Sequence, residues 1–224
     1  MKQLWTDPQY QLFVFDAYGT LFRVSSDTPE IKDAAQGKSD EVQSLWREKQ
    51  LEYTRLRSMM GRWADFDQIT EDALDYALEA CGLPVDPLKK LLLDIYQSPS
   101  AFPDVLPFLE ILKEENMPAV ILSNGTHEML EHAVKATGAK GYFRSLLSAE
   151  DVEVYKPSPL MYRLVQQMEK VQPEEVVFFS SNPWDIAGAG TAGFTTVWVN
   201  RQQKVMDRLG VTPTFEIADL EEAI

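Results

Sequence analysis

Four short runs of apolar and β-branched residues punctuate the chain: Leu12 to Phe15, Ala119 to Leu122, Val176 to Phe179 and Thr195 to Val199. Continuous runs of this length predict strands buried on both faces, as in a parallel sheet. Helix-like stretches over 126–137, 159–170 and 184–192 separate or follow the later runs. Phe143 to Leu147 is a further strand candidate, and Pro213 to Ile217 reads as an edge strand. Alternation of this kind predicts an α/β fold, a doubly wound, mostly parallel Rossmann-like sheet. Such sheets place ligands beyond the carboxyl ends of their strands, at the switch in strand order.

The stretch 23–102 breaks the rhythm. It holds no strand run but three helical patterns, over 40–60, 67–81 and 86–97. Leu45, Leu51, Leu56, Met59 and Met60 mark the first, and Ile69, Leu74, Ala77 and Leu78 the second. Gly82 stops the second helix, and Pro84 and Pro87 punctuate the connection that follows. The expected organisation is a catalytic core of 1–22 and 103–224, with a helical domain of 23–102 inserted after the first strand. Pro99 and Pro103 mark the return to the core.

Composition narrows the class. The 224 residues are 45% apolar and carry a net charge of −14, so the chain is an ordinary globular protein and a poor ligand for nucleic acid or anionic membranes. No apolar run approaches the roughly 18 residues of a membrane span. Met1 to Tyr10 lack the basic-then-apolar layout of a leader. Cys81 is the single cysteine, which leaves no intramolecular disulfide and fits a cytoplasmic location. Acid is concentrated over 65–87, with a local charge of −7, whereas 47–62 carries +3. Most of these charges read as solvated helix faces.

The strand ends carry the chemistry. Asp16-Ala17-Tyr18-Gly19-Thr20-Leu21-Phe22 follows the first strand, with Gly19 suited to a tight turn. Ser123-Asn124-Gly125-Thr126 follows the second, with Thr126 as helix N-cap. Lys156-Pro157 follows the Phe143 run. Ser180-Ser181-Asn182-Pro183-Trp184-Asp185 follows the next, with Pro183 in the first helical turn. Any one of these loops reads as a cap. Four of them at one edge of one sheet, supplying Asp, Thr, Ser, Lys, Asn and Asp, describe an active site.

This order of motifs resembles the haloacid dehalogenase superfamily, and more narrowly its L-2-haloacid dehalogenases. The inserted segment agrees, because Trp46-Arg47-x-Lys49-Gln50-Leu51-Glu52-Tyr53 is similar to that family's cap helix. Superfamily phosphatases carry a general-acid Asp two residues after the nucleophile. Here that position is Tyr18, whose phenol, with an ordinary pKa of about 10, is a poor proton donor for that task near neutrality. The phosphatases also hold Mg²⁺ on acidic residues of the fourth loop, where this chain offers only Asp185. No metal and no cofactor are therefore expected.

The resemblance implies hydrolysis of (S)-2-haloacids to (R)-2-hydroxy acids and halide through an ester on Asp16. It implies Asp185, oriented with Asn182, as activator of water, and Lys156 as the group that holds the charges. Ser123 and Asn124, with backbone amides near Thr20 and Ser180, are implied for the substrate carboxylate and the developing oxyanion. Arg47 is implied for the carboxylate or departing halide. Tyr18, Leu51, Phe66 and Trp184 are implied as an apolar wall, and Tyr162 matches a functionally important tyrosine. Homodimers are common in the family. Glu48 beside Arg47, Arg23 where an acidic residue is common, and Pro183 in the fourth loop depart from the pattern.

Two other readings stay open: a phosphatase of the superfamily with an unusual metal site, and a catalytically inactive ligand-binding member. Gly188-Ala189-Gly190-Thr191-Ala192-Gly193 fits a dinucleotide pattern but falls inside a helix, so close packing and a helix stop explain it. His127 and His132 are five apart and share no helix face as metal ligands would. Because the expected substrate is an anion, Arg47 and Lys156 should form a small positive well in a negative field.

Overall fold

A computed structural model describes residues 7–24, 28–96 and 99–223. Met1 to Thr6, part of the stretch read for a leader, and position 97, the expected end of the third inserted helix, lie outside the described residues. The strands are β1 (Leu12–Phe15), β2 (Phe22–Arg23), β3 (Ser100–Ala101), β4 (Ala119–Ser123), β5 (Phe143–Ser148), β6 (Val176–Ser180), β7 (Thr195–Val199) and β8 (Phe215–Ile217). Six of them form one sheet in the order β5-β4-β1-β6-β7-β8, every pair parallel. The chain runs from β1 out to β4 and β5, then returns to β6 on the other side of β1. The switch in direction therefore lies at β1, and the loops leaving β1, β4 and β6 meet at one edge.

Burial explains why these runs are strands. Every residue of β1, β4 and β6 is buried, because helices cover both faces. Phe13, Phe15, Phe108 and Phe179 pack on one face, with the Phe15 and Phe179 rings stacked at 4.8 Å. Val14, Val120, Phe178 and Trp198 lie on the other, under Tyr162 and Ile186.

Among the described residues, four helices occupy the segment between β2 and β3: α1 (Pro29–Ala34), α2 (Ser39–Met60), α3 (Phe66–Ala80) and α4 (Leu88–Tyr96). Phe66, Ile69, Ala73, Leu74, Ala77 and Leu78 of α3 are buried at the spacing of one helical face. Asp65 caps that helix by accepting from the Gln68 N–H. The face that α2 buries differs from the expected one. Val42, Trp46, Gln50 and Thr54 point inward, while Leu56, Met59 and Met60 are exposed. The expected apolar stripe failed because two of the buried positions are polar and satisfied. Gln50 Nε2 donates to Thr70 Oγ1 at 2.8 Å, and Trp46 Nε1 to the Thr70 carbonyl at 2.8 Å. Charges also pair between helices, Arg57 with Asp72 at 3.0 Å and Lys89 with Asp75 at 2.9 Å, so part of the local imbalance is neutralised in place.

The core helices are α5 (Val105–Glu114), α6 (His127–Ala136), α7 (Pro159–Glu169) and α8 (Pro183–Thr191). Helix α5 was not expected. Pro107 falls in its first turn, where a missing N–H costs nothing. Val105, Phe108, Leu109 and Leu112 then form an ordinary buried face. The pair β2-β3 was also missed. It is antiparallel, pairs Phe22 with Ala101, and closes the two strands that lead into and out of the helical segment. Among the described residues no helix is long and apolar enough to cross a membrane.

Candidate active site

Asp16 is the first residue beyond β1. Its N–H still donates to the Phe179 carbonyl of β6 at 2.9 Å, so the backbone under the carboxylate belongs to the sheet. The chain then turns sharply, with the Leu21 and Phe22 N–H groups both donating to the Ala17 carbonyl. Gly19 takes φ +90° in this turn, and a Cβ there would lie 3.3 Å from Ser181 Oγ. The turn returns Thr20 to the carboxylate, where its hydroxyl donates to Asp16 Oδ2 at 2.9 Å.

Three further groups converge. Asn182 Nδ2 donates to Asp16 Oδ2 at 3.0 Å. Lys156 Nζ donates to Asp16 Oδ1 at 3.1 Å and to Asp185 Oδ2 at 2.8 Å. The Tyr162 hydroxyl donates to Asp185 Oδ1 at 2.8 Å. Each oxygen of both carboxylates thus has a protein donor. Lys156 and Asp185 have fully buried side chains, and Asp16 keeps only a narrow exposed edge.

These are two carboxylates and one ammonium removed from water, an arrangement that favours neutralising one acid. Burial pushes Asp185 up to about 6, with Lys156 opposing the rise and Asp16 adding to it. Burial pulls Lys156 down, but Asp16 and Asp185 together outweigh it, so its pKa is raised and the ammonium stays charged. Burial likewise holds the Tyr162 phenol well above its ordinary value, fixing it as a donor. Among the described residues no three His, Cys, Asp or Glu side chains gather as a metal cluster.

The remaining predicted residues take supporting or separate places. Asn124 Oδ1 accepts from the Lys156 N–H at 3.0 Å and so anchors the lysine's loop. Ser123 Oγ accepts from Gly125 N–H, and Ser180 Oγ from Asn182 N–H, each shaping its own turn. The Tyr18 hydroxyl donates to the Met129 carbonyl at 3.3 Å. Arg47 Nη1 donates to Gln50 Oε1 at 2.6 Å, and Arg47 lines a cavity of about 560 Å³ together with Tyr18, Gly19, Ser181 and Asn182. Leu51, Phe66 and Trp184 are not among its lining residues. Phe66 is buried beside Tyr155, Trp184 lies under the Arg55 guanidinium at 5.3 Å, and Leu51 is half-buried on α2. Lys156 is buried and is not among the residues that line the cavity.

Sequence reasoning missed Arg201 and Asp104. Arg201 forms a two-pronged ion pair with Asp104, at 3.1 and 2.8 Å, and also donates to the Thr20 carbonyl at 3.0 Å. Phe102 stacks on the guanidinium at 4.1 Å. Arg201 therefore braces the turn that carries Thr20. The signal was available, since Arg201 follows the carboxyl end of β7 just as Asp16 follows β1.

Residues 10–193 match the haloacid dehalogenase-like hydrolase family. The chain is 42% identical over 210 residues to (S)-2-haloacid dehalogenase 1 of Pseudomonas sp. (strain CBS-3), covering 93% of this chain and 92% of that protein. A solved L-2-haloacid dehalogenase superposes with a TM-score of 0.92 at 39% identity, covering 96% of both chains. The enzyme from Xanthobacter autotrophicus with chloropropionic acid covalently bound gives 0.88 at 32% identity, again over 96% of each chain. With that coverage and identity, the chain belongs to the L-2-haloacid dehalogenase family of the haloacid dehalogenase-like hydrolases.

Proposed function

We propose that the protein hydrolyses (S)-2-haloacids to (R)-2-hydroxy acids and halide, with Asp16 as nucleophile. The observation that carries the residue roles is the arrangement around Asp16. Its carboxylate is pinned at both oxygens by Thr20, Asn182 and Lys156, at a strand end beside an open cavity. The inserted segment, 23–102, serves as the cap over this core.

In the first step an Asp16 oxygen forms a bond to carbon 2 of the substrate from the face opposite the halogen. The carbon–halogen bond breaks and halide leaves with the electron pair, inverting the carbon. Fixing the carboxylate in place removes much of the orientational cost of this attack. Arg47, in the cavity wall, receives the substrate carboxylate or the halide. In the second step water attacks the carbonyl carbon of the Asp16 ester, and Asp185 takes its proton. As the acyl–oxygen bond breaks, the departing alkoxide takes the proton from Asp185 and leaves as the 2-hydroxy acid. Asp16 loses the second water proton to regain its carboxylate, now holding one water oxygen. Lys156, bonded to both acids, stabilises the negative charge as it passes from one to the other.

The test is halide release from (S)-2-chloropropionate, with the hydroxy-acid product resolved by chirality and the Asp16 peptide weighed after rapid acid quench. The expected results are (R)-lactate and a transient mass increase on that peptide. Release of no halide, with Asp16→Asn giving the same trace, would defeat the reading, and Mg²⁺-dependent release of phosphate from a phosphomonoester would replace it with a phosphatase.

A further inference from the structure

The cavity beside Asp16 has a chemistry that its size and the overall charge make informative. Its wall holds Arg23, Arg47, Arg201 and Lys204 and no Asp or Glu side chain, in a chain whose net charge is −14. Among the described residues, Arg201 is the one of these four cations with a carboxylate partner, Asp104. Arg47 bonds the neutral Gln50, and Arg23 bonds Ser100 Oγ through Nε at 2.9 Å. Arg201 Nε is buried and has no acceptor among the described residues. Field lines from such a group of cations, bounded by Tyr18, Trp46 and Phe102, are concentrated within the cavity.

One small monoanion does not account for this. A three-carbon haloacid, with three carbons, two oxygens and a halogen, takes up on the order of 180 Å³ at a water's share of roughly 30 Å³ per heavy atom, against a cavity of about 560 Å³. A haloacid needs only one cationic partner for its carboxylate or departing halide, the part proposed above for Arg47 in the cavity wall. Arg23 and Lys204, on the solvent side, remain for a second negative group.

We propose that the cavity carries a second anion site, formed by Arg23 and Lys204, and that the substrates of this enzyme include 2-haloacids bearing a second, distal carboxylate. The inference rests on the dehalogenase reading of Asp16 and deepens it. The distal carboxylate sits at the mouth of the cavity and leaves carbon 2 at Asp16.

The test compares three chlorinated acids by halide release: (S)-2-chloropropionate, (S)-2-chlorosuccinate, and (S)-2-chloropentanoate, which has similar length but no second charge. The wild-type KM for chlorosuccinate should be about three- to tenfold below that for chloropentanoate, the range expected of two solvent-facing ion pairs. The advantage should shrink at high salt, which screens exposed charges. In Arg23→Gln combined with Lys204→Gln, the chlorosuccinate-to-chloropentanoate ratio of kcat/KM should fall to about unity. A wild-type enzyme that handles chlorosuccinate no better than chloropentanoate, or a ratio unmoved by the double substitution, overturns the second site while the dehalogenase reading stands. Halide release from none of the three acids overturns both.

Discussion

The Tyr162 hydroxyl lies 2.8 Å from Asp185 Oδ1, and neither side chain is reached by solvent. The bond lowers the cost of a buried carboxylate that burial otherwise drives towards its neutral form. Under the proposed mechanism, Tyr162 is a positioning residue for the group that activates water, acting through Asp185 rather than on the substrate. Tyr162→Phe should slow decay of the Asp16 ester by roughly 10- to 100-fold, the loss of one hydrogen bond to a charged group. Formation of the ester should change much less. Single-turnover quench separates the two rates, and equal slowing of both would remove the assigned role.

Protonation of Asp185 gives a pH dependence whose sign can be worked out. A carboxylate must be ionised to take a proton from water, so ester hydrolysis falls as pH drops through its pKa. In the resting protein that value is raised to about 6, chiefly by burial, with Asp16 contributing. Forming the ester abolishes the Asp16 charge, so the controlling pKa in the intermediate lies below about 6. The ester should accumulate as the pH is lowered beneath it. A hydrolysis rate constant with its midpoint above pH 7 would be incompatible with Asp185 as the base.

Lys156 tests the electrostatics of the assembly. Its ammonium bridges two carboxylates with its own side chain fully buried. Removing a partner from a buried ion pair costs about 3–5 kcal/mol, or a fall in Tm of roughly 6–20 °C for a chain of this size. Lys156→Met should therefore abolish activity and lower Tm within that range. Adding Asp185→Asn removes one of the two stranded charges and should restore part of the loss. A double variant less stable than Lys156→Met would contradict this account.

The sheet was legible because its central strands are short, continuous and bordered by polar loops. Asp16, Asn182, Lys156 and Asp185 were legible because each follows a strand at one edge, and topology brings such loops together. The inward face of α2 was not legible, since Gln50 is buried by virtue of a partner on α3, Thr70, 20 residues away, and Thr54 by bonding back to the Leu51 carbonyl of its own helix. Helix α5 was not read, although Val105, Phe108, Leu109 and Leu112 fall at helical spacing. Arg201 follows the carboxyl end of β7, which marks it as a candidate, but its bracing role was not legible from local sequence. Its role exists only through Asp104, 97 residues earlier in the chain.

Gly188 offers a test in which two known effects oppose each other. In a helix interior, Ala is more favourable than Gly by about 1 kcal/mol, so Gly188→Ala in α8 would stabilise an isolated helix. Here the new Cβ would lie 2.7 Å from Tyr162 Cζ and 2.8 Å from Cε2. The ring has nowhere to retreat, being packed against Phe178 at 6.0 Å and Phe194 at 6.1 Å. Overpacking of this kind costs about 1–3 kcal/mol, which outweighs the propensity gain. Gly188→Ala should lower the urea midpoint and slow ester hydrolysis by displacing the Tyr162 hydroxyl from Asp185. In a Tyr162→Ala background the obstruction is gone, and the same substitution should become stabilising, by up to about 1 kcal/mol. That reversal of sign assigns the glycine to close packing rather than to a nucleotide site, and its absence would return the glycine-rich segment to open question.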